Sequence, residues 1–431
     1  MSIDRPFLRY GRQRIEDDDI AAVADVLKSD FLTTGPVVEA FESKLAEITG
    51  AAHAISCSSG TSALHLAAMA LDLKPGDHAV VSAMTFLATA NAARYVGAEV
   101  TFADVDPDTG LMTPETLADA LERAGPRAKV VFPVHINGQT VDMGALRAIT
   151  TLPIVEDACH ALGGAHQGPA NTMVPVGSCA FSDMATFSFH PVKTVAMGEG
   201  GALTTNDANL ARRLRRFRNI GMTREVDEFQ EQAQALDTSG DANPWYYEMS
   251  ELGFNYRASA IHCALGLSQL GKLDQFVADR DHLMAHYRDR LRTLAPVVRP
   301  VPTVLGCRPS WHICVVLIDF AQAAIGRQQL ALELTPQRFV DEIAPARTFG
   351  FRDQVEQLRA AGLIQGGALD NALVCDGDHW LNPPLRYADE PVRHKLLDLI
   401  GDLALVGFPQ AQVLVYRGSH GLHTDLAAAL L

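Results

Sequence analysis

No Cys-x-x-Cys pair occurs in this sequence, whose seven cysteines, at 57, 159, 179, 263, 307, 314 and 375, are odd in number and scattered. That pattern supplies neither a disulfide framework nor a structural zinc site, and it suits a reducing compartment. Long apolar runs are missing too. No stretch reaches the roughly eighteen consecutive apolar residues of a membrane-spanning helix, and the start, Met1-Ser-Ile-Asp-Arg-Pro6, has no basic segment followed by an apolar one. A cytoplasmic protein without a membrane span is expected. Basic residues are in deficit, 36 Lys and Arg against 51 Asp and Glu, for a formal net charge of -15. A general nucleic-acid binder needs a basic face to displace counterions from phosphates, so that class is excluded. The one basic run, Arg212-Arg213-Leu-Arg215-Arg216-Phe-Arg218, reads better as a solvated helix face than as a phosphate pocket, and it receives no site role. Internal repeats and low-complexity linkers are absent.

What is present suits a large soluble enzyme. Length (431 residues) favours two or three domains, and 48% hydrophobic against 20% charged residues is ample for ordinary cores. Between about residues 50 and 205, short apolar runs alternate with helix-like segments. His78-Ala-Val-Val-Ser82, Glu99-Val-Thr-Phe-Ala103, Lys129-Val-Val-Phe-Pro-Val134, Pro153-Ile-Val155 and Ala185-Thr-Phe-Ser-Phe189 are nearly continuous in hydrophobicity, as strands buried on both faces must be. Helical spacers between them predict an α/β domain with a mainly parallel sheet. Residues 258–292 predict a long helix linking two domains, and Ile313-Cys-Val-Val-Leu-Ile-Asp319 predicts a strand. After Gly326-Arg327 the sequence changes character, and Glu390 to Leu405 is strongly periodic.

The most informative segment is Thr186-Phe-Ser-Phe-His-Pro-Val-Lys193-Thr-Val-Ala-Met-Gly-Glu-Gly-Gly201. A lysine between an apolar strand and a glycine-rich turn has the setting of a reactive amine, because burial lowers its pKa and glycines let other groups approach. Lys193 is read as a Schiff-base lysine for pyridoxal phosphate. That cofactor also needs an anion at its pyridine nitrogen, a phosphate cradle and a flat group over its ring. Cys57-Ser-Ser-Gly-Thr-Ser-Ala-Leu-His-Leu-Ala67 is a hydroxyl-rich turn opening a helix, and Gly60, Thr61 and Ser62 are its candidate phosphate ligands; an ordinary helix cap is the alternative. Asp157, in Glu156-Asp157-Ala-Cys-His160, could keep the ring protonated, or could simply cap a strand-end turn. Phe86 could cover the ring or lie in the core, and Ser188 could touch phosphate or bond to backbone.

These residues carry a resemblance. Through Leu32-Thr-Thr-Gly-Pro36, Ser59-Gly-Thr-Ser62, Glu156-Asp-Ala-Cys-His160, Ser188-Phe-His-Pro-Val-Lys193 and Gly253-Phe-Asn-Tyr-Arg257, residues 5 to 327 resemble the DegT/StrS family of nucleotide-sugar aminotransferases, within the fold-type I pyridoxal-phosphate enzymes. The resemblance implies a pyridoxal-phosphate-binding large domain over 1–257, then a linking helix and the start of an incomplete small domain over 258–328. It implies that Lys193 bonds the cofactor and shuttles the proton, that Asp157 pairs with the pyridine nitrogen and that His160 lies beside the ring. Ser188, Thr61 and Ser62 would hold the phosphate, and Asn255 would reach the cofactor phosphate of a neighbouring subunit, so a homodimer is implied. Some relatives carry histidine in place of the lysine and dehydrate; Lys193 implies transamination. Asn243-Pro-Trp-Tyr-Tyr-Glu-Met-Ser and His262-Cys-Ala-Leu-Gly-Leu-Ser-Gln-Leu are most similar to members that serve pseudaminic acid synthesis. Those imply a UDP-4-keto-6-deoxy-N-acetylhexosamine as acceptor and glutamate as donor. Ile220 and the pair Ile136-Asn137 depart from the family pattern.

Residues 329 to 431 resemble something else. Ala344-Pro-Ala-Arg-Thr-Phe-Gly-Phe351, Gly366-Gly-Ala-Leu-Asp-Asn-Ala372 and Asp389-Glu-Pro-Val-Arg-His-Lys-Leu-Leu-Asp-Leu-Ile-Gly-Asp402 are similar to the second, α+β domain of UDP-3-O-acyl-N-acetylglucosamine deacetylase, a zinc enzyme. His394, Asp398 and Asp402 recur every four residues and so share one helix face. By the resemblance His394 and Asp398 are vestigial zinc ligands, Asp402 and His420 assist the chemistry, and Thr348, Phe349 and Lys395 belong to the substrate site. The remaining ligand and the catalytic glutamate of that family have no counterpart here, and two ligands rarely hold a catalytic zinc. The expectation is a joined pair of incomplete enzymes with no deacetylase activity. The competing readings are a fusion that retains a zinc deacetylase and a non-catalytic mosaic that binds cofactor or nucleotide sugar.

Overall fold

The apolar runs between residues 50 and 205 become the strands of one layer. In the computed structural model these are β1 (His53–Cys57), β2 (His78–Ser82), β3 (Glu99–Ala103), β4 (Ala128–Phe132), β5 (Val155–Asp157), β6 (Met184–Ser188) and β7 (Gly201–Thr205). The structure describes residues 11–295 and 298–318, then 330, 332, 334–352, 355–356, 359, 370–376, 379–382 and 384–404. Strands pair in the order β3-β2-β4 and β1-β7-β6-β5, and parallel bridges from Val131 to Ile154 and Val134 to Asp157 join the two groups. Pairing is parallel except around β7, which runs antiparallel to β1 and β6. The expected mainly parallel sheet is therefore present. Because β1, β5 and β6 run the same way, Cys57, Asp157 and Ser188 all end at one edge of the layer, where open parallel sheets gather their chemistry.

Helices α1 (Asp17–Leu27) and α2 (Pro36–Thr49) precede the layer, α3 (Gly60–Ala70), α4 (Leu87–Tyr95), α5 (Pro114–Ala124) and α6 (Met143–Ile149) alternate with its strands, and α7 (Ala208–Arg218), α8 (Ala260–Leu270) and α9 (Leu273–Leu291) follow it. Helix α2 shows how sequence fixes such an element. Pro36 opens it, Gly50 closes it in a left-handed conformation, and Val38, Phe41 and Leu45 recur on the one face that is buried. Phe41 meets Phe189 edge to face at 5.4 Å. Gly266 of α8 permits this close approach, since an added Cβ would lie 2.7 Å from Met197 Cγ and 2.8 Å from the Phe41 ring. Phe41→Ala would leave a cavity in this fully buried cluster. It is expected to lower stability by about 3–5 kcal/mol, measured by urea unfolding.

The single helix expected over 258–292 is broken at Gly271 and Lys272. Acidic residues at the start of the chain take the groups at the break. Lys272 Nζ lies 2.7 Å from Asp18 and 2.9 Å from Asp19, while Ser268 and Gln269 donate to Asp19 at 2.6 and 2.8 Å. Asp19 is thereby buried but satisfied, and α1 is tied to α8. The strand expected at 313–319 is shorter, Val316–Ile318, and Asp319 lies outside the described residues.

Two compact units divide the chain, one comprising Met1–Thr293 with Pro300–Leu317, the other Leu294–Arg299 with Ile318–Leu431. In the second, β8 (Thr348–Phe351) runs parallel to β9 (Ala372–Asp376), which pairs antiparallel with β10 (His379–Trp380). The periodic segment forms α10 (Glu390–Ala404). Its first residue, Glu390, is fully buried and accepts from the Arg347 guanidinium at 2.9 and 3.1 Å. Leu405, His420 and residues 360–369 lie outside the described residues.

Candidate active site

Asp157 ends β5 with only 5% of its surface exposed. Its Oδ2 accepts a 2.6 Å bond from the Thr89 hydroxyl and its Oδ1 a 3.2 Å bond from the Cys159 backbone N–H. Thr89, fully buried, belongs to the first turn of α4, whose N-cap is Phe86. One short helix thus brings Phe86 and the Asp157 partner to the same strand end. Phe86 is not a core residue: it is 70% exposed. Thr89 lies three residues after Phe86, yet nothing in the sequence marks it as the residue that orients Asp157.

Lys193 follows β6 on a tight turn closed by its own N–H to the His190 carbonyl at 2.8 Å. Burial lowers the pKa of its amine from the usual 10.5, an effect that Cys159 and Asp157 only partly counter. No hydrogen bond or ion pair engages its amine among the described residues.

The turn before α3 contains the expected helix cap, and the cap shapes an anion cradle. Ser59 Oγ accepts from the Ser62 N–H at 3.1 Å, and Ser62 Oγ bonds the Ser59 N–H and carbonyl, each at 2.8 Å. The N–H groups of Gly60 and Thr61 have no acceptor among the described residues. Ser188 closes the other side: a Cβ on Gly60 would lie 2.7 Å from Ser188 Cβ. Free N–H groups at the start of an eleven-residue helix, a neighbouring hydroxyl, a buried carboxylate and a low-pKa amine together fit pyridoxal phosphate. Gly60→Ala is expected to weaken cofactor affinity at least about tenfold by crowding this cradle, read by spectroscopic titration.

His160 is largely buried and holds its imidazole neutral, with a pKa lowered to about 4 by burial and by the Lys193 charge. Its ring faces His312, centroid to centroid 4.3 Å. His312 was invisible in the sequence, since residues 307–312 carry no motif. Glu156, the neighbour of Asp157, points to the opposite face of β5 as strand alternation requires. There it binds His135 Nε2 at 3.0 Å and the Ser182 hydroxyl. Burial alone would raise the Glu156 pKa, but His135 first, then nearby His166 and the Ser182 hydroxyl, hold it low, so it is a satisfied structural carboxylate.

Asn255 is exposed, and its backbone bridges to Asn219. The basic run lies on α7. Arg218 there binds Glu42 and Ser56, and Arg213 binds Asp72. Arg212, Arg215 and Arg216 line a cavity of about 590 Å³ with Arg224 and Arg257. In the second unit, His394 Nε2 lies 3.4 Å from Asp398, which Lys395 also approaches at 3.0 Å. Among the described residues no group of three or more metal-binding side chains assembles, and the Asp402 side chain and His420 are not among them.

Residues 13–344 match the DegT/DnrJ/EryC1/StrS aminotransferase family. The chain belongs to that family. It is 34% identical over 331 residues to the UDP-4-amino-4-deoxy-L-arabinose--oxoglutarate aminotransferase of Shewanella sediminis, covering 76% of this chain and 80% of the relative. The spore coat polysaccharide biosynthesis protein SpsC of Bacillus subtilis matches with the same identity and coverage. Among solved structures, Helicobacter pylori PseC, an aminotransferase involved in the biosynthesis of pseudoaminic acid, superposes with a TM-score of 0.61 at 25% identity, covering 82% of each chain. Membership makes this a pyridoxal-phosphate-dependent sugar aminotransferase of the fold-type I architecture. Residues 297–431 separately match the UDP-3-O-acyl N-acetylglycosamine deacetylase family, so the two matches overlap from 297 to 344. No helix among the described residues is long and apolar enough to cross a membrane.

Proposed function

We propose that this aminotransferase moves an amino group from glutamate to the 4-keto carbon of a UDP-linked 4-keto-6-deoxy-N-acetylhexosamine, as a homodimer. The observation that carries the proposal is the convergence of Lys193, Asp157, Ser188 and Gly60 on one edge of the parallel layer. Pyridoxal phosphate, when bound, supplies an electron sink. Gly60, Thr61, Ser62 and Ser188 would hold its phosphate, and Asp157, fixed by Thr89 and the Cys159 N–H, would face its pyridine nitrogen. Lys193, with an amine that sheds its proton more readily than a solvated lysine, would take a proton from the donor carbon at Nζ and return it. Exposed Phe86 would cover the ring, and neutral His160 would lie beside it. Exposed Asn255 would reach the neighbouring subunit's cofactor phosphate.

The hexosamine is supported by the likeness to Helicobacter pylori PseC. A UDP-linked 4-keto pentose is the second reading, favoured by the name of the Shewanella sediminis relative. One experiment separates them. Pyridoxal phosphate is added to the purified protein, glutamate is used to bleach the visible band, and each UDP-4-keto sugar is then offered. The hexosamine should restore the band faster; restoration by the pentose alone selects the second reading. Absence of any Lys193-dependent band rejects both and leaves the non-catalytic mosaic. Residues 329–431 are proposed to have lost deacetylase activity, and amide hydrolysis on zinc addition would overturn that.

A further inference from the structure

We propose that His312 is a positioning residue that fixes the tautomer and tilt of His160 beside Lys193. The proposal rests on the aminotransferase reading of that site. The two imidazoles face each other at 4.3 Å with a 50° angle between their planes, and the Nδ1 atoms of both are buried without a hydrogen-bond partner among the described residues. Burial first, and then nearby positive charge, keeps both rings neutral at physiological pH. The charged groups acting on the pair are Lys193 and Asp157 at His160, and Lys193 and Arg280 at His312. A neutral imidazole carries one N–H and one lone pair, so each ring can satisfy the other only if they adopt opposite roles at Nδ1. In the proposed arrangement the rings move from this tilted face-to-face contact to an in-plane approach, and the resulting Nδ1–H···Nδ1 bond would select a single tautomer for His160.

The surroundings of His312 are those of a fixed brace. Its backbone N–H donates to the Asn137 carbonyl at 2.8 Å and Ser310 N–H donates to the Gly138 carbonyl at 3.0 Å. Gly138 sits at φ +100°, and a Cβ there would lie 2.0 Å from the Ser310 carbonyl oxygen, so the two segments can approach this closely only through glycine. From α9, Arg280 Nη1 donates to the carbonyls of Trp311 and His312 at 3.3 and 3.0 Å. The backbone of His312 is thus held from two sides while its ring nitrogen is left for His160. Nothing else among the described residues offers the His160 Nδ1 a partner.

The test compares His312→Phe, which keeps a ring without nitrogen, with His312→Asn, whose amide occupies the Nδ1 position. In cofactor-free protein with ¹⁵N-labelled histidine, and His160→Asn used for assignment, the His160 signal should report one tautomer in the native chain. It should report a mixture in His312→Phe and one tautomer again in His312→Asn. In the loaded protein, bleaching by glutamate should slow at least tenfold in His312→Phe with cofactor affinity within threefold of native, and His312→Asn should recover to within threefold. An unchanged His160 tautomer in His312→Phe, or equal loss in both variants, overturns the proposal. If the native chain forms no Lys193-dependent band, the functional reading falls and the tautomer measurement alone decides the role of His312.

Discussion

Lys193→Ala is expected to abolish the visible absorbance that forms with pyridoxal phosphate and to lower turnover by at least about 10³-fold, within the range for loss of a general acid–base group. Arginine should not rescue it, because a guanidinium cannot be deprotonated near neutral pH. The same change should leave the fold intact. No ion pair or hydrogen bond to the amine is broken among the described residues, and a penalty is removed. The folded-state pKa of Lys193 lies below its ordinary 10.5, so the unfolded chain binds the proton more readily. That destabilisation is fully present below the lowered value and disappears as pH rises toward 10.5. Cofactor-free Lys193→Ala should therefore melt no lower than the native chain at neutral pH, measured by calorimetry. Lost catalysis with retained or increased stability is the signature of a residue kept for chemistry.

How much of this was legible in the sequence depends on distance along the chain. The α/β layer, its parallel direction and the strand ends bearing Asp157 and Ser188 follow from local runs of apolar residues, because a strand buried on both faces must be apolar throughout. The break between α8 and α9 was not legible. It depends on Asp18 and Asp19, more than 250 positions away, meeting Lys272, and helical periodicity carries no trace of that meeting. The same holds inside the site. Lys193 announces itself through its glycine-rich turn, whereas Thr89 and His312 gain their roles only when α4 and the 310–312 segment arrive beside β5. Glu156 is the reverse case. Adjacent to Asp157 in sequence, it is assigned to the opposite face by strand alternation, where His135 and Ser182 consume it. Phe86 needed the fold as well, since a phenylalanine in this segment reads equally as core, and only its 70% exposure leaves it available to a ligand.

Asp157→Asn should separate charge from shape. Asparagine can keep both native contacts: its carbonyl can accept the Cys159 N–H, and its amide can donate to the Thr89 hydroxyl, which both donates and accepts. Folding should thus survive, with melting close to native. What disappears is the negative charge available to a protonated pyridine nitrogen, and with it the preorganised electrostatic support for the developing carbanion. Turnover is expected to fall on the order of 10²- to 10³-fold, the range seen when one preorganised electrostatic partner is removed. Cofactor affinity should fall far less, because the phosphate cradle at Gly60 and Ser188 is untouched. Measuring cofactor affinity and donor half-reaction rate on the same variant checks this. If both fell together, Asp157 would be a binding residue; if neither fell, the carboxylate would be only the strand-end cap that it also resembles in sequence. Thr89→Val gives an independent handle, since it removes the 2.6 Å donor and leaves the carboxylate in place. It should produce a smaller fall in rate of the same kind, with the charge present but no longer aimed.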